Sequence, residues 1–374
     1  MAAASTLNRG PGWFAARWRR LNGPDRIAGA DLARGLAVFG MIAAHLLTID
    51  PGSPLQVVNG RSSILFATLA GVSIGLVTGG VSPLTGTAMR TARQRLAVRG
   101  AVLWAIGIAL TLTGVPVNVI LPAYAFLFLL AIPLTGLRAS ILFALAALLA
   151  LGMPWVQYSL NAWPGWAQWW GMLISLVVGW EYPFPLWIAF IAAGLGVARV
   201  GITRLRVQLW LLGVGTGLAV LGYSLDALSP SPEGFAAADF MFAVVWTADP
   251  HSSGVLEAVG SGGFALAALA ACLLLTRVTV FRLLTLPLRA VGSMPLTAYV
   301  AQLLVWALVA QALLGNTADL YGIRELGLFA PLTIGILCAC TAWALTLGRG
   351  PMEGLLDRAA RLVVRSGGSH RRGR

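Results

Sequence analysis

Apolar runs of membrane-spanning length recur along the whole chain, and they constrain its fold more than any single residue does. About 20 residues rising 1.5 Å each match a hydrocarbon layer of about 30 Å. No water reaches the backbone inside that layer, so such a run must close its hydrogen bonds within itself, as a helix. Ten runs are read. The first five are Ala28–Ile49, Ser62–Gly80, Val98–Val115, Asn118–Leu134 and Ala139–Trp155. The second five are Phe184–Val200, Val207–Leu225, Gly254–Thr276, Val291–Leu314 and Gly327–Leu347. They predict an all-α polytopic integral membrane bundle of about ten transmembrane helices, with no separate soluble domain.

Composition supports this and excludes a soluble domain: 58% of the 374 residues are hydrophobic and only 10% charged, with a mean hydropathy of +0.82. The formal charge of +13 would suit a nucleic-acid partner if it formed a patch. Instead the basic residues are all arginine and alternate with the runs. With the N-terminus inside, the inner segments collect Arg9 to Arg26, Arg90 to Arg99, Arg138, Arg199 to Arg206, Arg277 to Arg289 and the tail from Arg349. Outer loops keep only Arg61 and Arg324. Positive-inside topology accounts for this without nucleic acid and puts both termini in the cytoplasm of a multi-pass cell-membrane protein. The expected organisation is a basic N-terminal segment (1–27), a transmembrane domain (28–348) and a basic tail (349–374). That tail, with His370, is expected to lie against anionic lipid.

No cleavable signal peptide is read in the polar, arginine-rich first 28 residues. Cys272, Cys338 and Cys340 lie in apolar runs without zinc-site spacing, so neither a metal nor disulfides are expected. "NAWPGWAQWWGMLISLVVGWEYPFP", Asn161 to Pro185, has a core from Trp169 to Trp180 too short to span. Tryptophans at both of its ends suit an interfacial or re-entrant helix on the outer face, with an extra span as the alternative. The loop from Asp226 to Ser253 carries Asp226, Glu233, Asp239 and Asp249, and reads either as a solvated connection or as a lid.

The first run, "RIAGADLARGLAVFGMIAAHLLT", contains Asp31, Arg34 and His45. Ionisable side chains at membrane depth are costly and face an interior or a wet cavity. Asp31 and Arg34 sit at i and i+3, and His45 follows eleven residues later, close to three turns, so all three share one stripe. Arg34 and His45 are about 16 Å apart along the axis. An ion pair at the membrane edge plus a hydrogen-bonded interior histidine would explain the set structurally. An imidazole titrating near neutrality also suits general-base or acyl-acceptor chemistry.

An Arg before Asp-x-x-Arg-Gly, then an apolar run ending in His, resembles the first-helix signature of membrane acyltransferases. That superfamily includes the acyltransferase type 3, heparan-alpha-glucosaminide N-acetyltransferase and YeiB-like families. "GRSSILFATLAGVSIGL", Gly60 to Leu76, is similar to the second-helix motif of the latter two. "VGSMPLTAYVAQ", Val291 to Gln302, and "RGPMEGLLDR", Arg349 to Arg358, resemble late YeiB-like signatures. "DPHSSGVLEAVGSGGFAL", Asp249 to Leu266, resembles a late-helix segment of bacterial relatives of the heparan enzyme.

The resemblance implies a bundle that takes an acyl group, acetyl first of all, from cytoplasmic acyl-CoA. It passes the group to a hydroxyl or amine of an envelope sugar or glycolipid on the other side. Guanidinium groups pair well with phosphate, which makes Arg34, supported by Asp31, and Arg90 and Arg93 on the first long inner loop, with Arg95 and Arg99, the expected acyl-CoA-binding residues. His45 would be the catalytic base or a transient acyl carrier, and sequence does not separate the two. On the acceptor side, or in support, stand Arg61, Ser62, Asp249, His251, Glu257, Thr297, Tyr299 and Gln302. Asp249 or Glu257 would orient a histidine, and His251 is a rival base. Helix-to-helix hydrogen bonding explains Thr297, Tyr299 and Gln302 equally well. Membrane lipids are the surrounding partners, and a homodimer is left open. A transporter using Asp31, Arg34 and His45 as a proton relay is the alternative from another class, although no matched pair of interrupted segments is read. A structural or sensory membrane protein would leave these charges unexplained.

Overall fold

The computed structural model describes residues 12–24, 26–50, 52–229 and 237–364. Glu233 and the tail containing His370 lie outside them, as does the side chain of Asp239. Regular structure among the described residues is entirely helical. The first half comprises α1 (Gly12–Asn22), α2 (Ala28–Leu46), α3 (Arg61–Val77), α4 (Gly86–Thr111), α5 (Leu121–Leu134), α6 (Ala139–Asn161), α7 (Trp169–Val178) and α8 (Phe184–Val200). The second comprises α9 (Leu205–Leu228), α10 (Ala237–Val245), α11 (Val255–Leu275), α12 (Thr279–Leu284), α13 (Leu286–Ser293), α14 (Pro295–Leu314), α15 (Leu320–Glu325), α16 (Phe329–Thr346) and α17 (Pro351–Val363).

Six helices among the described residues are long and apolar enough to cross a membrane. They are Pro54–Val77, a 3₁₀ turn running into α3, and α6, α9, α11, α14 and α16. The other expected runs also hold helices. α5 and α8 are apolar but shorter, and α2 and α4 carry the charged residues. α7, with 10 residues, rises only about 15 Å and does not reach across a bilayer.

Two expectations are corrected. Arg90, Arg93, Arg95 and Arg99 lie on α4, which starts at Gly86, and not in a loop. Arginine is a good helix former, and no Pro or Gly interrupts the chain between Ala88 and Arg99. The ninth run is not one helix. It breaks at Met294, because Pro295 has no N–H to donate and disfavours helical geometry in the residue before it.

Small residues bring the helices into backbone contact, the usual way of packing where lipid competes for apolar surface. A Cβ added to Gly222 of α9 would sit 2.6 Å from the Cα of Gly260 of α11. α3 and α8 meet through Gly71, whose added Cβ would lie 2.2 Å from the Ile191 carbonyl oxygen. On α2, Gly35 presses on Leu288, and the Asp31 carbonyl presses on Gly292 of α13. Gly40 of α2 faces the Ser62 hydroxyl of α3. α2 is thereby wedged between α3, α11 and α13.

The first and last described helices gather at the end of the bundle where α2 begins. Gly348 lies against Arg17 and Arg20 of α1. Arg99 of α4 and Arg349 both pair with Asp357 of α17. α17 is therefore docked on the bundle and is not a free tail.

Two arginines read as loop charges are buried pins at this end. Arg289 donates to Asn22 at 3.0 Å and to the carbonyls of Arg282 and Leu21. Arg199 donates to the carbonyls of Gly75 at 2.9 Å, Gly80 at 2.5 Å and Thr135 at 2.6 Å, and to the Thr78 hydroxyl at 2.9 Å. It closes the C-terminal ends of α3 and α5, whose last carbonyls have no intrahelical donor. Arg199→Ala leaves the Gly80 and Thr135 carbonyls without a donor among the described residues, while the Gly75 carbonyl keeps the Gly80 N–H, and should lower stability by about 3 kcal/mol. Arg199→Lys, with fewer donors, should recover only part of it in a thermal unfolding series.

Candidate functional site

Helix α2 carries two polar stations. At its beginning Asp31, 2% exposed, accepts from both nitrogens of an Arg26 fork, Nε at 2.5 Å and Nη2 at 3.0 Å. It also accepts from Arg34 Nη1 at 2.7 Å. One carboxylate thus holds two guanidinium groups, and its contribution is to orient Arg34. The same Arg34 nitrogen reaches the Gly292 carbonyl at 3.1 Å, and Nη2 makes a long 3.4 Å contact with Ser73 of α3. The Gly292 carbonyl belongs to the last turn of α13, just before the break.

α14 restarts beyond the break with its N-terminus covered by a carboxylate from α17. Glu353 accepts from the backbone N–H groups of Leu296 at 2.8 Å and Thr297 at 3.2 Å, and from the Thr297 hydroxyl at 2.5 Å. Negative charge at a helix N-terminus is favourable. Thr297 is committed to this junction, at the Arg34 end of the bundle and away from the expected acceptor side. Arg93 donates to Thr135 at 2.9 Å, and Arg90 is exposed. Among the described residues neither hydrogen-bonds the Arg34 cluster.

The second station lies about three turns further along α2. The half-buried His45 ring meets Trp306 of α14 edge to face, with centroids 6.3 Å apart. Tyr299, Gln302 and Trp306 are spaced at i, i+3 and i+7, one face of α14. All three are buried, at 1%, 2% and 1% exposure. α2 and α14 run in the same direction, since Arg34 lies beside Gly292 and His45 beside Trp306. The Tyr299 hydroxyl accepts from the Ile120 N–H at 3.2 Å. Around it several buried polar atoms have no protein partner among the described residues: His45 Nδ1, both amide atoms of Gln302, Trp306 Nε1 and the Tyr124 hydroxyl of α5. Each such group costs about 1 to 3 kcal/mol, so a concentration of them marks a place built for a polar visitor.

Arg324 of α15 donates to the His45 carbonyl at 3.2 Å, a cation at the C-terminal end of α2. Sequence reading passed over this residue, and the available signal was that only two arginines fall in the outer loops. Arg61 is the other. Its Nε donates to the Tyr223 hydroxyl at 2.5 Å, its Nη1 to the Gln56 carbonyl at 2.6 Å, and its guanidinium lies 4.4 Å from the Tyr223 ring centre. Ser62 is buried against Gly40, so it serves the α2–α3 contact.

Glu257 orders the loop before α11. Its carboxylate accepts from the backbone N–H groups of His251 at 2.7 Å and Ser253 at 2.8 Å, and from the Ser252 hydroxyl at 3.3 Å. Those bonds hold His251 and Ser253 at φ 65° and 60°, a left-handed conformation uncommon outside glycine. Glu257 therefore grips the backbone of His251 and not its imidazole. Asp249 is exposed. The His251 ring lies 6.2 Å from that of Tyr182.

If the Gln302 amide served only the fold it would be partnered. Gln302→Leu fills similar volume without orphaned atoms, so it should leave the melting temperature unchanged or raise stability by about 1 to 3 kcal/mol. A clear drop in melting temperature would show that the amide is structurally engaged.

No curated protein matches the chain. The late stretches quoted above, from Asp249 to Arg358, fall inside the part that a family profile covers. Residues 203–362 match the family described as Protein of unknown function (DUF418), which is the YeiB-like family.

Proposed function

We propose that the protein is a cell-membrane acyltransferase that moves an acyl group, acetyl in the first instance, from cytoplasmic acyl-CoA to a hydroxyl or amine of an extracytoplasmic glycan or glycolipid. The carrying observation is one helix, α2, with a clamped guanidinium at one end and, three turns on, a histidine beside unpartnered buried polar atoms. In this reading α2 to α6, α8, α9, α11, α14 and α16 make ten crossings, and both termini are cytoplasmic. α7 lies at the outer interface.

At the inner station Asp31 pairs with Arg26 and Arg34, and Arg289 and Arg282 add further positive charge beside it. Cations outnumber carboxylates there, which suits a CoA phosphate, and Asp31 fixes Arg34 for bidentate contact. The pantetheine arm would run along α2 toward His45. There the imidazole takes the proton of the acceptor O–H or N–H as its heteroatom attacks the thioester carbonyl. The C–S bond breaks, and the proton passes to the departing CoA thiolate. Attack by the imidazole itself, giving an acyl-imidazole that the acceptor then cleaves, uses the same placement. Gln302, Trp306 and Tyr124 supply donors for the carbonyl oxygen as charge develops on it.

The break between α13 and α14 at the Arg34 station also favours a second reading, a transporter, because interrupted helices build transport sites. The two differ in CoA consumption. His45→Ala should retain acyl-CoA binding and lose transfer by about 10²- to 10⁴-fold. Arg34→Ala should weaken acyl-CoA binding about tenfold, or about 1.4 kcal/mol. Calorimetry on protein in nanodiscs, with a nucleotide lacking the pantetheine arm as control, reads the binding directly. No saturable binding by folded wild-type protein, together with solute flux into liposomes without CoA release, would establish the transporter instead.

A further inference from the structure

Three cavities lie in sequence along α6. The largest, about 780 Å³, is a groove between α6, α8, α9 and α11. Its α6 wall runs from Phe143 to Leu151, and its lining is apolar apart from Thr68. The next, about 300 Å³, is lined by Pro154, Gln157, Tyr158 and Asn161 of α6 with Ser252 and Ser253. The third, about 510 Å³, continues from Asn161 and Ser253 to Trp166, Trp180, Glu181 and His251. Along a single helix the lining changes from hydrocarbon to polar and aromatic.

The polar end is built for a ligand. Gln157, 1% exposed, gives its amide nitrogen to Asn161 at 2.7 Å, while its Oε1 has no protein partner among the described residues. Trp180 Nε1 also donates to Asn161, at 2.9 Å, and the Trp166 and Trp180 rings stack 4.9 Å apart. Aromatic faces beside amide, carboxylate and imidazole groups match a sugar, which offers apolar ring faces and a rim of hydroxyls. His251 lines this pocket, and its ring lies 6.2 Å from that of Tyr182. At the apolar end Leu151 and Trp210 are exposed on α6 and α9, helices long and apolar enough to cross a membrane, so this end would open to hydrocarbon.

We infer that these cavities hold one amphiphile, a sugar linked to a hydrocarbon chain. The chain lies in the α6–α8–α9–α11 groove and the sugar in the Trp166–Trp180 pocket beside His251. This rests on the acyltransferase reading and narrows its acceptor to a glycolipid. A free sugar would leave the groove without purpose, and an ordinary phospholipid would leave the aromatic pocket without one.

The test uses the full chain in phosphatidylcholine nanodiscs and a long-chain alkyl glucoside with a diazirine in its chain as photoprobe. Labelled peptides are mapped by mass spectrometry. Labelling is expected on α6, α9 and α11, displaced by unlabelled alkyl glucoside but not by glucose or by an alkylphosphocholine of equal chain length. Ala146→Phe combined with Ala193→Leu, which fills the groove, should cut labelling at least tenfold. Trp180→Ala, at the bundle surface, should remove the preference for glucoside over phosphocholine while the groove still labels. Equal displacement by the alkylphosphocholine, displacement by glucose alone, or labelling spread over other helices would overturn the assignment. Acyl-CoA binding is measured on the same samples. Saturable acyl-CoA binding without selective labelling defeats this inference alone, whereas selective labelling without acyl-CoA binding defeats the acyltransferase reading and leaves the amphiphile site standing.

Discussion

A single buried carboxylate organises the end of the bundle on which the rest depends. Asp31 is nearly inaccessible, and an ionised group in that position is tolerable only when paired and hydrogen-bonded. It is satisfied by Arg26, just before α2, and by Arg34, one turn along it. Arg34 in turn takes the carbonyl of Gly292, which fixes the end of α13 and the break before α14. Glu353 repeats the device, covering the start of α14 and tying α17 to the body. Charges that looked expensive in the sequence thus join α2, α13, α14 and α17 at one end.

The other station is the inverse case. Around His45 the polar atoms are buried and largely unpaired, in a protein whose remaining buried cations are pinned by several bonds each. Arg199 has four acceptors and Arg289 three. A molecule that pins these arginines with several bonds each, even though their Nε atoms stay unpaired among the described residues, and leaves both amide atoms of Gln302, Trp306 Nε1 and His45 Nδ1 unmet keeps stability and function in different places. That is the pattern expected where activity is retained at a cost in stability.

Much of the fold was legible because lipid imposes a simple rule, that apolar runs of sufficient length must be helices. α3, α5, α6, α8 and α16 begin or end within a few residues of the expected runs. The misread places have local causes. Arg90 to Arg99 read as a loop because a run of charge suggests solvent exposure, yet nothing there interrupts a helix. The α13–α14 break was hidden by continuous hydropathy, although Pro295 marked it. Of the site, Asp31, Arg34 and His45 were readable from spacing on one helix. Gln302 and Tyr299 were readable only as polar residues in an apolar run, and Thr297, beside them in sequence, turned out to serve the Glu353 junction.

Trp306, Tyr124 and Arg324 gave no comparable signal, since a tryptophan or tyrosine in a span is ordinary and an outer arginine is merely rare. Trp306 meets His45 because α14 runs parallel to α2, and α15 carries Arg324 back to the end of α2, while α5 brings Tyr124 toward Tyr299. By itself the sequence determined the solvent of this protein, its helical class, and the stripe of charge on α2, because all three follow from composition and from periodicity within single segments. Which buried polar groups find partners, and which are left to meet a ligand, only the tertiary structure decided, because that depends on contacts between residues more than 250 positions apart.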